Sequence, residues 1–130
     1  MVEVAESVVG MTTLVHVQDL RAGMYVRTDE GGFMRPIHGV LCKPTEGVCD
    51  LCTYMALRAH PQQPLVCEGK FALLEDLAPP VRQRCESLYT IVVDSDRDVG
   101  VFVDGQVVWT PGRPSLKRVT VKCGDMRFRR

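Results

Sequence analysis

Apolar residues in this chain recur at short, two-residue intervals, broken every few positions by glycine, proline or acidic residues. Val2 and Val4 flank Glu3, and Val8-Val9 run into Gly10, which predicts a strand closed by a turn. Thr13 to Val17 predicts a second strand, and Met24 to Thr28 a third. Asp29-Glu30-Gly31-Gly32 is a hairpin signal. Phe33 to Leu41 pairs back, with Pro36 confining it to an edge or a bulge. Cys42 to Gly47 reads as a loop and Val48 to Leu57 as a further alternating strand. Met55 to Leu77 reads as two short apolar strands. His60-Pro61 interrupts the first, and Glu68-Gly69-Lys70 turns into the second. Beyond Pro79-Pro80, Val81 to Cys85 reads as one helical turn. Leu88 to Val93, rich in β-branched residues, is a strand. Val99 to Val103 and Gln106 to Trp109 form a hairpin about Asp104-Gly105. Pro111 to Pro114 is loop, and Leu116 to Cys123 alternates once more. No long helical period and no repeat interrupts this pattern. The implied class is all-β, built from short, strongly curved hairpins rather than a regular sandwich.

Composition narrows the picture only slightly. The 130 residues suit one domain, 1–130, with an ordinary core. The apolar share of 45% and charged share of 25% are those of a soluble globular chain. Lys+Arg and Asp+Glu cancel at 16 each, so no overall field draws the chain to nucleic acid or a membrane surface. The basic end, Arg127-Phe128-Arg129-Arg130, reads as a solvated tail. No apolar run is long enough to span a bilayer, and the start lacks the basic, apolar and small-residue pattern of a leader. The expectation is therefore an intracellular setting, with Cys42, Cys49, Cys52, Cys67, Cys85 and Cys123 as free, mostly buried thiols.

Candidate chemistry centres on His60. Pro61 fixes its own φ and pushes His60 towards extended backbone, which aims the imidazole at a set angle from a strand end. The plainer reading is a fold-keeping histidine bonded to nearby backbone, and it is preferred. His16 and His38, placed in strands, are read as satisfied or exposed. Cys49 and Cys52, with His60 and Cys67 downstream and Cys42 spare, supply the residue types of a Cys₃His zinc set. Against it, residues three apart on a strand point to opposite faces, whereas a zinc pair needs a tight turn. No cofactor is therefore expected. Cys67, seven residues after His60, is an alternative nucleophile without an evident orienting Asp or Asn.

Three separated stretches resemble one family. Val15-His16-Val17-Gln18-Asp19-Leu20-Arg21-Ala22-Gly23-Met24-Tyr25-Val26 is similar to an opening signature of the Hint domains, the hedgehog and intein autoprocessing fold. Leu57-Arg58-Ala59-His60-Pro61, with Glu68-Gly69-Lys70-Phe71-Ala72 and Glu75-Asp76-Leu77, resembles the block that carries their histidine. Leu88 to Val93, with Val101-Phe102-Val103-Asp104-Gly105-Gln106-Val107-Val108, resembles a later block. Order and spacing fit the eukaryotic Vint type, over roughly 8–112, leaving 113–130 as a C-terminal strand and basic tail. The resemblance implies a pseudo-two-fold, horseshoe-shaped all-β domain. It also implies a cysteine that attacks the carbonyl before it to form a thioester. His60 takes the place of the bond-polarising histidine.

The chain also departs from that family's pattern. Leu57 stands where the family has a threonine that assists the histidine, and Asp98 and Val99 stand near the place of a second histidine. The terminal His-Asn pair gives way to Trp109-Thr110-Pro111-Gly112. The nucleophile belongs several residues before the first strand, and Met1 opens the sequence without it. The expected function is a degenerate Hint-like domain without self-cleavage, acting as a binding or scaffolding module or as a small subunit of a larger assembly with a protein partner. Two alternatives stay open: an autoprocessing domain seen as a trimmed fragment, and a zinc-stabilised interaction module.

Overall fold

A computed structural model describes residues 1–5, 11–116 and 127–130. Its architecture is one open sheet of eleven antiparallel strands. They are β1 (Val2–Ala5), β2 (Thr13–Val15), β3 (Tyr25–Arg27), β4 (Met34–Tyr54), β5 (Leu57–Ala59), β6 (Pro64–Cys67), β7 (Lys70–Leu73), β8 (Val81–Val93), β9 (Val99–Val103), β10 (Gln106–Thr110) and β11 (Arg127–Arg129). One helical turn, α1 (Leu74–Leu77), follows β7, and a 3-10 turn covers Val17–Asp19. The all-β reading holds. Among the described residues no helix is long and apolar enough to cross a membrane.

The sheet is organised by β4, whose 21 residues are served by different neighbours along its length. Met34–Pro36 pair with β3, Ile37–Leu51 with β8, and Cys52–Tyr54 with β5, while β11 lies along the other edge at Val40–Cys42. Two register shifts, at Ile37/Gly39 and Pro44/Gly47, bend the β4–β8 ladder. Two expectations fail along this ladder. Residues 42–47 are strand rather than loop, and Val81–Cys85 are strand rather than helix. The turn-forming residues Pro44, Thr45 and Gly47 are absorbed into a bulge. There the Thr45 hydroxyl donates to the Cys85 carbonyl and accepts from the Gly47 amide at 3.1 Å. Across from it, Gln83 and Cys85 are half-buried and Arg82, Arg84 and Glu86 exposed, a strand period that outweighs local helix propensity.

Three further expectations need revision. His16 is exposed just after β2 rather than within a strand. The basic end is no free tail, because Arg127–Arg129 pair with β4 and Arg129 lies over the Tyr89 ring. The last strand expected at Leu116 to Cys123 begins in helical backbone at 113–116, and its remainder, with the turn at Gly10, lies outside the described residues. Two hairpins form where Glu68-Gly69 and Asp104-Gly105 were read. Both residues of each turn take positive φ (52° and 77°, 50° and 79°), the pairing a two-residue type I′ turn needs.

The core collects alternate side chains of both halves: Val2, Val4 and Val26, then Ile37 and Val40, then Leu57, Leu65 and Leu74, then Ile91, Val93, Val99 and Val101. Burying a side chain of this kind contributes about 1.5–3 kcal/mol.

Candidate functional site

His60 sits where β5 ends. The chain between β5 and β6 makes a tight turn: the Gln63 amide donates to the His60 carbonyl at 3.0 Å, and the Gln62 amide to His60 Nδ1 at 3.0 Å. Pro61 is buried beneath the exposed imidazole. The turn is fastened on two sides. The carbonyls of Pro61 and Gln63 accept from the Glu75 and Leu74 amides of α1 at 2.8 and 3.0 Å. The Gln63 side-chain amide donates to the Trp109 carbonyl of β10 at 3.0 Å. The helical turn was not foreseen from sequence. Its signal was Asp76, whose carboxylate accepts from the Leu73 amide at 3.3 Å, with Glu75 in the same first turn.

Beside His60 runs an open groove of about 650 Å³, bounded by Lys43, Thr45 and Cys49 of β4, Glu75 of α1 and Arg82 of β8. Because Nδ1 accepts from the Gln62 amide, the neutral ring carries its proton on Nε2. That nitrogen is the one left to act on anything held in the groove, as a donor to a carbonyl or carboxylate. The Arg82–Asp50 pair at the rim is separated by 3.7 Å and more than half exposed, so it contributes little beyond local charge.

Leu57, three residues before His60, is 4% exposed and points into the core rather than towards the imidazole's groove. The first strand is also remote from the ring. The Met1 carbonyl accepts from the Asp104 amide at 2.9 Å and Val2 pairs with Val103, at the turn end of the β9–β10 hairpin. The His60 turn docks at the opposite end, through Trp109. Four strand steps separate the two ends, about 13 Å at ~3.3 Å per residue.

The four residues of the proposed zinc set are spread out. Cys49 faces the groove, half-buried. Cys52, opposite Ala59, is buried in the core, and Cys67 lies at the far end of β6 beside the Glu68-Gly69 turn. Among the described residues no three His, Cys, Asp or Glu side chains converge as a metal site. Burial, and then the Glu75 carboxylate, hold the Cys52 thiol above its ordinary pKa. Burial likewise raises that of Cys49, helped by a hydrogen bond with Cys85. Cys85 is a neighbour that sequence spacing did not reveal, since only the β4–β8 register brings it there. His38 packs its ring at 5.3 Å from Phe128, away from the groove.

No curated protein matches the chain. A family model, the Vint Hint-domain, matches residues 1–120. That span takes in the opening strands, the His60 block and the closing hairpin alike, and the all-β sheet agrees with it. The chain therefore belongs to the Vint type of Hint domains.

Proposed function

We propose that this Hint domain does not cleave itself and serves as a binding or scaffolding module for a protein partner within a larger assembly. The observation that carries the reading is Leu57. The position that should offer a hydroxyl beside the histidine holds a buried leucine that is part of the core. Acyl transfer needs an activated nucleophile, a polarised amide and donors for the developing oxyanion. His60 keeps one nitrogen for such work and commits the other to its own turn. The Met1–Val2 segment, held at the Asp104 end of the hairpin, also lies away from it.

The test joins a tag ahead of Met1 and incubates the purified fusion with dithiothreitol or hydroxylamine. The expected result is an intact fusion after prolonged incubation. Timed release of the tag at the junction, lost in His60→Ala, overturns the reading and restores autoprocessing, the alternative favoured by the place of His60 beside the groove.

A further inference from the structure

We propose that Cys49, which lines the His60 groove, and Cys85 across the ladder form a redox-active dithiol, which an oxidised low-molecular-weight disulfide closes into a staple between β4 and β8. Cys49 lies opposite Gln83, and Cys85 opposite Gly47. Side chains alternate along a strand, so these four positions share one face of the ladder, with the two cysteines as diagonal neighbours. The two thiols are close enough for Cys85 to help raise the pKa of Cys49, after burial. The Cys85 thiol also donates to the Ser87 carbonyl at 3.3 Å, a weak bond that is readily given up.

Diagonal Cα atoms on neighbouring strands stand about 7–8 Å apart. A disulfide accepts up to about 6.8 Å, so closure asks the strands to approach by roughly 1 Å. The bulge between Pro44 and Gly47 supplies that movement. Gly47 in that bulge has φ +96°, and a Cβ there would meet nothing within 4 Å.

In the reaction, a thiolate of the pair attacks glutathione disulfide, forming a mixed disulfide and releasing one glutathione thiolate. The second cysteine, as thiolate, attacks the protein sulfur of that mixed disulfide and displaces the second glutathione. The two cysteines give up two electrons and two protons, and the glutathione disulfide takes up the electrons. Either cysteine can make the first attack, and the other then resolves the mixed disulfide.

The experiment oxidises the reduced full chain with glutathione disulfide at pH 8, quenches in acid, alkylates free thiols and maps peptides by mass spectrometry. The expected product lacks two hydrogens and joins the peptides holding Cys49 and Cys85. Cys49→Ser leaves Cys85 carrying one stable glutathione. Amide exchange across 44–50 slows by about tenfold or more on oxidation, a change absent from both Cys→Ser variants. Recovery of Cys49 and Cys85 as free thiols overturns the proposal. So does a crosslink joining either of them to a different cysteine. If Cys85→Ser proves unfolded, Cys85→Ala with the same peptide mapping separates these outcomes equally well.

Discussion

Replacing Leu57 by threonine probes both the packing and the functional reading. The side chain is 4% exposed within the core, on a strand of only three residues. Threonine removes a net of two carbons from the core, about 1.6 kcal/mol at ~0.8 kcal/mol per methylene. It also buries a hydroxyl with no partner awaiting it, which costs about 1–3 kcal/mol. The β-branched side chain suits a strand and restores a few tenths of a kcal/mol. The expected loss is therefore about 3 kcal/mol, a large share of the roughly 5–15 kcal/mol that holds a domain together. Thermal unfolding followed by circular dichroism should show a melting temperature lower by about 10 °C. A change below about 0.5 kcal/mol would refute the placement of Leu57 in the core. Release of a fused tag by the Leu57→Thr variant but not by the parent would identify Leu57 as the residue that silences self-cleavage, whereas equal release by the parent would refute the proposed loss.

Two other perturbations follow from the packing and charge of the sheet. A Cβ at Gly39 would overlap the Phe128 ring and approach the Arg129 carbonyl oxygen to 2.6 Å, so Gly39→Ala should cost about 1–3 kcal/mol and strip amide-exchange protection from 127–129; unchanged protection would show that β11 does not lie against Gly39. The Arg97 hydrogen bond, followed by the charges of Arg35 and Arg97, holds the Glu30 carboxyl below its ordinary pKa of 4.5. A depressed acid pKa gives stability that is present above 4.5 and lost as pH falls through the folded value. Glu30→Gln should therefore destabilise the domain at pH 7 and match the parent in acid below that range. An equal deficit at every pH in chemical-denaturation curves would show that the ion pairs are not responsible.

Much of the fold was legible locally because its turns carry their own chemistry. Asp104-Gly105 and Glu68-Gly69 are dipeptides that accept positive φ, so the flanking strands and their registers follow from a few residues. The β4–β8 ladder was not legible in this way. Residues 42–47 carry turn formers, and residues 81–85 carry long polar side chains with good helix propensity. Only pairing with each other makes both into strand. The site divides along the same line. His60-Pro61 announces its turn in sequence, but the groove beside it needs Thr45, Cys49 and Arg82, which distant pairing delivers. Cys49 and Cys52 behave as strand residues three apart, one towards the groove and one in the core. Cys85 could not be found by spacing.

The long ladder also shapes how the chain reaches its final form. Its innermost rung, Leu51 with Val81, encloses the fewest intervening residues, and its outermost, Ile37 with Val93, encloses the most. Loop-closure entropy then makes the inner rungs the earliest to zip, with the two kinks passed in succession from the middle outwards. The β6–β7 and β9–β10 hairpins close over two-residue turns without β4, whereas β3, β5, β8 and β11 all take β4 as a ladder partner. Such non-local pairing puts the expected folding time in the slow, millisecond-to-second range of β topologies.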